Sequence, residues 1–155
     1  MMSEEEKLEK VLLRGPDDEV ETRWAFRLGK NRYRLDNLPF FTYGISWQDV
    51  IETKQREGFN EFVRIIEKSG NRTVRVILDK PANESETMEQ VLDGLSEIGC
   101  NYERMTQRYI VVNVSPEVEL DQVRDYLIES EQQWEYADPT YEELYPDEDD
   151  EEVAA

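Results

Sequence analysis

The chain has no histidine, a single cysteine and no long apolar run, and each absence narrows what it can do. Without histidine, the side chain best suited to proton transfer near neutral pH is missing, and nucleophile–histidine arrangements are excluded. One thiol, Cys100, cannot close an internal disulfide, which fits a reducing compartment. The longest apolar stretches, such as residues 109–112, fall far short of the roughly 18 residues a membrane helix requires. No membrane association is expected. The opening Met1-Met2-Ser3-Glu4-Glu5-Glu6 is acidic where a secretory leader is basic and then apolar, so a cytoplasmic location is expected. Neither a phosphate-cradling loop nor a glycine-rich dinucleotide turn occurs.

Positive charge is scarce in one half only. Residues 1–80 hold 15 acids and 15 bases, whereas residues 81–155 hold 22 acids against Arg104, Arg108 and Arg124, so the second half carries the whole net charge of −19. A surface of that sign repels phosphate backbones and speeds encounter with basic proteins.

The pattern along the chain predicts an α+β protein. Leu8, Val11 and Leu12 lie at helical spacing, so residues 1–19 are expected to be a flexible or helical arm ending at Gly15-Pro16. From Val20 the period becomes two, with Val20, Thr22, Trp24, Phe26 and Leu28 expected on the buried face and Glu21, Arg23 and Arg27 opposite. A turn at Gly29-Lys30-Asn31 leads into a second strand, and further short strands follow to residue 78. Residues 20–78 therefore read as a small antiparallel β-barrel-like unit.

Residues 73–138 change rhythm. A strand at 73–78, which this second unit is expected to share with the first, precedes a helix over 85–98 with a Met88, Val91, Leu92, Leu95 and Ile98 stripe, bounded by Ser85 and Gly99. Two strands over 100–107 and 109–114, a helix over 117–131 with Leu120, Val123, Leu127 and Ile128 inward, and a last strand at 134–137 complete β-α-β-β-α-β, the ferredoxin-like split βαβ order. Residues 139–155, which include six successive acids at 147–152, are expected to be a disordered acidic tail.

The segment Arg32-Tyr33-Arg34-Leu35-Asp36-Asn37-Leu38-Pro39-Phe40-Phe41-Thr42-Tyr43-Gly44-Ile45-Ser46, with the Trp24 strand before it and residues 62–64 and 69–73 after it, resembles a family of small bacterial proteins labelled only as a domain of unknown function. The resemblance covers about residues 20 to 137, and its most specific feature is Tyr33-x-Leu35-x-Asn37-x-Pro39-Phe40-Phe41. It implies a bacterial source and supports the two-part organisation, but supplies no activity or catalytic residues.

No catalytic residue, metal ligand set or cofactor site is expected, and the chain does not read as an enzyme. Cys100 lies at a helix end with no cation to activate it, and the run at 147–152 lacks the glycine and ligand spacing of a calcium loop. The leading expectation is a binding or regulatory protein for a basic protein partner. Glu117, Glu119, Asp121, Asp125, Glu129 and Glu131 on the second helix would join Tyr136, Tyr141 and Tyr145 in an acidic, aromatic patch. By looser analogy, small acidic bacterial proteins of this size act as immunity proteins that neutralise toxins. A solvated helix face and tail is the plainer use of the same acids. The alternative is a nucleic-acid-associated regulator that binds through Arg23, Arg27, Lys30, Arg32 and Arg34 within residues 20–50, with the acidic tail as internal competitor.

Overall fold

Val11, Leu13, Ala25, Tyr33, Leu35, Ile45 and Ile51 interlock as one small core. The strands that carry most of them form the first of two sheets in the computed structural model, which describes residues 7–146. These strands are Leu8–Arg14 (β1), Val20–Gly29 (β2), Arg32–Leu35 (β3), Val50–Arg56 (β4) and Phe59–Glu67 (β5). Each pairs antiparallel with the next, and β1 also meets β5 in parallel at Leu12 against Glu61, so the strand order returns on itself.

Two expectations change here. Residues 8–14 of the expected arm are a strand in full register with β2, from Leu8 against Phe26 to Arg14 against Val20. Val11 and Leu13 share one face at a period of two, whereas Leu8, Val11 and Leu12 fit helical spacing, and the unpaired edge of β2 decides between the two periods. The first six residues of that arm lie outside the described residues. The faces of β2 are also reversed: Glu21 and Ala25 are buried, while Val20 and Trp24 are 49% and 44% exposed. So narrow an interior admits Ala25 but not a row of aromatic rings. The outward rings are instead covered by cations, Lys10 over Trp24 and Arg34 over Phe26, both at 5.3 Å.

The second sheet contains Arg72–Ile77 (β6), Asn101–Arg104 (β7), Tyr109–Val114 (β8) and Gln133–Asp138 (β9), all antiparallel in the order β7-β8-β6-β9. Strand β6 is saturated on both sides by β8 and β9 and takes no part in the first sheet, so the strand expected to be shared is not. Helices Glu86–Ile98 (α1) and Leu120–Ser130 (α2) cover one face. Met88, Val91, Leu92 and Leu95 of α1, with Val123 and Leu127 of α2, meet Val74, Val76, Ile110 and Val112 in the larger core. Ser85 caps α1 by accepting from Met88 N–H at 3.3 Å, and Gly99 ends it at φ +114°, a conformation glycine adopts without strain.

Where α1 crosses α2, Gly94 leaves room for Tyr126, whose hydroxyl donates to Val91 C=O at 2.8 Å. A Cβ on residue 94 would stand 2.0 Å from that hydroxyl. Gly94→Ala, normally a gain of about 1 kcal/mol inside a helix, is therefore expected to destabilise by roughly 1–2 kcal/mol. Urea midpoints of Gly94→Ala and of Gly94→Ala with Tyr126→Phe test this, and the double variant should recover part of the loss.

The expected tail begins with order. Thr140 accepts from Glu143 N–H at 3.3 Å while Glu143 Oε1 accepts from Thr140 N–H at 3.0 Å, closing a capping box on the short helix Tyr141–Leu144 (α3). Residues 147–155, including the acidic run, lie outside the described residues.

The connection between β3 and β4 ties the sheets together through buried charges. Glu21 accepts from the N–H groups of Phe40 (2.8 Å), Phe41 (2.8 Å) and Thr42 (3.1 Å) and from the Thr42 hydroxyl (3.2 Å). On the other side of the loop, buried Arg75 of β6 donates to the carbonyls of Pro39 and Thr42. Further along, Asp49 accepts from Ser46 N–H at 2.8 Å, Ser69 N–H at 2.7 Å and Lys68 Nζ at 2.7 Å. Lys68 also donates to Asp138 of β9, which accepts from Ser46 Oγ at 2.6 Å.

Candidate functional site

Five aromatic rings from separate parts of the chain converge beside β9, one of the two edge strands of the second sheet. Trp134 and Tyr136 alternate along β9, Tyr141 and Tyr145 come from the α3 turn, and Tyr43 comes from the connection after β3. Together with Arg124 and Ile128 of α2, and with Glu135, Thr140 and Glu142, they line a groove of ≈ 820 Å³. The ring centroids of Trp134 and Tyr136 are 4.8 Å apart in an edge-to-face contact, those of Tyr141 and Tyr145 are 5.0 Å apart, and Tyr136 lies 6.2 Å from Tyr145. Such mutual packing fixes the walls before anything binds.

Polar contacts set the charge of the groove. Tyr43 is held by the Arg75 guanidinium 4.8 Å from its ring, and its hydroxyl donates to Glu135 at 2.6 Å. Burial, then the neighbouring Glu135 carboxylate, pushes its phenol up to about 12. Burial, then the Tyr145 hydroxyl 3.5 Å away, raises Tyr136 as well. Both phenols are thus neutral at physiological pH. Arg124, the one lining cation among the described residues, is matched by Asp125 at 3.0 Å and Asp121 at 3.2 Å and donates to Tyr145 at 3.2 Å. Glu135, which also lies 3.9 Å from the Arg75 guanidinium, and the exposed Glu142 complete an acidic, aromatic surface suited to an organic cation.

A family model described as a domain of unknown function, DUF4265, matches residues 21–136. The chain belongs to this family. No curated protein matches it. In fold, this DUF4265 chain is similar to a solved hypothetical protein from Neisseria gonorrhoeae, with a TM-score of 0.68 and 14% identity over 86% of this chain and 95% of that one. The likeness is of fold alone.

Within the DUF4265 region, Tyr33 and Leu35 are core residues. Asn37 accepts from Trp24 N–H at 2.8 Å, and Pro39-Phe40-Phe41 is the backbone clasped by Glu21 and Arg75. That segment leads to Tyr43, which lines the groove. Of the nine residues expected in an acidic patch, Tyr136, Tyr141 and Tyr145 line the groove, and Asp121 and Asp125 sit beside it on Arg124. Glu117, Glu119, Glu129 and Glu131 are exposed but do not line it. With Val123 and Leu127 against the sheet, α2 turns Arg124 and Ile128 to the groove instead. Ile128, expected inward, is 57% exposed.

The hairpin cations do not form one face. Arg23 turns away from solvent to pair with Glu103 at 3.0 Å and lie over Phe40 at 4.3 Å. Arg27 bonds back to Gly29 C=O at 3.5 Å. Arg34 covers Phe26, while Lys30 and Arg32 line a separate hollow with Glu52 and Lys54. The composition-based reading missed Tyr43, Arg124, Ile128, Trp134, Glu135, Thr140 and Glu142. The alternation Trp134-x-Tyr136 was a legible signal, but the contribution of Tyr43 depends on the fold.

Among the described residues no cluster of three metal-ligating side chains occurs. Cys100 is buried, and that burial, opposed by Arg72, pushes its thiol up to about 11. Alkylation at pH 8 is therefore expected to be at least about a hundredfold slower in the native protein than in urea, since only the thiolate reacts. Equal rates would contradict this.

Proposed function

We propose that this protein is a non-catalytic binding protein that recognises a lysine- or arginine-rich segment of a basic protein partner in the groove beside β9. The observation that carries this reading is the convergence of Tyr43, Trp134, Tyr136, Tyr141 and Tyr145 around one ≈ 820 Å³ groove whose own cation is already neutralised by Asp121 and Asp125. A lysine or arginine entering it lays an aliphatic stem along rings and brings its charge to Glu135 and Glu142. The exposed acids of α2 extend that attraction beyond the groove and speed encounter. Neutralising a toxin, as an immunity protein does, is one use of such a site. A cytoplasmic setting suits the free thiol of Cys100. We read the two sheets as a small barrel and a ferredoxin-like split βαβ unit, a reading supported by the returning strand order of the first and the order β7-β8-β6-β9 of the second.

Fluorescence anisotropy with a labelled lysine-rich peptide and a glutamate-rich counterpart tests the proposal. The basic peptide should bind at least about tenfold more tightly, and raising the salt should erase most of the difference. Equal binding, or binding indifferent to salt, would contradict it.

A second reading rests on the outer face of β2, where Trp24 and Phe26 lie beside Lys10 and Arg34, aromatic and cationic groups of the kind that hold single-stranded nucleic acid once the cations turn to its phosphates. A chain ending at Pro146 should then bind an oligonucleotide through Trp24. Failure of that truncated chain to bind would remove the reading.

A further inference from the structure

The hydrogen-bond parity of the second sheet leaves part of the β9 backbone unpaired beside the groove. Leu78 N–H donates to Arg108 C=O at 2.8 Å, on the β8 side. Successive residues of a strand direct their backbone groups to opposite sides, so Val76 and Val74 bond β8 while Ile77 and Arg75 bond β9. Tyr109 C=O, which accepts from Met105 N–H beside β7, sets the same parity in β8. The partners of Ile77 and Arg75 are Gln133 and Glu135. Trp134 and Tyr136 therefore direct their own N–H and C=O to the outer edge. Among the described residues, Gly44 N–H donates to Ala137 C=O at 2.9 Å on that outer side, at the far end of the strand.

We infer that a basic partner segment binds in extended form, adding a strand to the outer edge of β9 at Trp134. This inference rests on the reading of the groove as a site for basic segments and specifies how such a segment is held. Strand addition gives affinity through backbone bonds and specificity through hollows for alternate side chains, and the edge has a hollow on each face. The ≈ 820 Å³ groove lies on the helix side, and a ≈ 230 Å³ hollow lined by Arg75, Ile77 and Tyr109 lies on the other, with Trp134 and Glu135 lining both. One alternate set of side chains then meets the rings and Glu142, where lysine or arginine fits. The other set meets a smaller space, where short side chains fit. Charge selects the occupant: β9 carries Glu135 and Asp138 and no cation, so a second copy of this strand offers nothing to the acids at the edge, whereas a basic segment does.

The test uses the full chain and a short synthetic peptide alternating lysine with threonine, in two versions N-methylated on one or the other alternate set of amides. N-methylation removes donors from one edge of the peptide and leaves every side-chain charge in place. Methylating the set that faces β9 should weaken binding by roughly tenfold or more. Methylating the other set should leave binding within about twofold, and the parent peptide should slow hydrogen exchange at the Trp134 amide. Equal binding by all three peptides, or no protection of Trp134, would overturn strand addition while leaving the groove as a site for basic side chains. Failure of even the parent peptide to bind would overturn both.

Discussion

Replacing Glu21 by alanine is expected to lower the folding free energy by about 3–5 kcal/mol, since each buried donor left without an acceptor costs about 1–3 kcal/mol. Three successive N–H groups, of Phe40, Phe41 and Thr42, end on this one carboxylate, and none can turn to water without opening the connection between β3 and β4. Arg75 would also lose the anionic counterpart on the other side of the loop that it clasps. Glu21→Gln keeps one carbonyl acceptor but presents an amide donor to N–H groups, so its loss should be intermediate. Chemical denaturation followed by circular dichroism measures both. A loss under about 1 kcal/mol for Glu21→Ala would mean that the loop finds other acceptors.

Asp49→Ala is expected to cost about 3 kcal/mol, since the Ser46 and Ser69 N–H groups lose their acceptor at about 1–3 kcal/mol each. Its carboxylate is fully buried and accepts two backbone N–H groups and the Lys68 ammonium. Lys68 adds a pH signature. Burial alone would lower its pKa, but hydrogen bonds to the Asp138 and Asp49 carboxylates outweigh burial and hold it raised. A raised folded-state value means that Lys68 contributes in full below the unfolded value of about 10.4 and that its contribution fades as pH rises through the folded value. The Lys68→Met variant should accordingly show a shallower alkaline loss of stability than the parent. Identical alkaline profiles would show that the ammonium does not hold the two sheets together.

Much of the second sheet was legible because its signals are local. The Met88, Val91, Leu92 and Leu95 stripe, the Ser85 cap and the Gly99 stop each decide a helix without reference to distant residues. The first sheet was less legible at two places where partners decide. Residues 8–14 fit a helix or a strand equally until the free edge of β2 is offered, and the faces of β2 follow from an interior too narrow for Trp24 and Phe26. The groove was half legible. Tyr136, Tyr141 and Tyr145 could be named from aromatic residues near acids, but the acids of α2 were assigned by composition, whereas the turn of the helix brings Arg124 and Ile128 to the site. Nothing in the neighbourhood of Tyr43 says that it will meet Glu135, since that contact spans 92 residues and depends on the Glu21 and Arg75 clasp.

The three tryptophans provide a direct reading of where a basic segment binds, because each indole N–H gives its own nuclear magnetic resonance signal. Trp134 lines the groove, Trp24 lies on the outer face of the first sheet, and Trp47 is half-buried beside a separate hollow with Asp36 and Tyr102. Titration of the full chain with a lysine-rich peptide should move the Trp134 indole and the amides of Tyr136, Tyr141 and Tyr145, and leave Trp24 and Trp47 in place. Movement of Trp24 with a stationary Trp134, or no movement at all, would contradict the groove as the binding site.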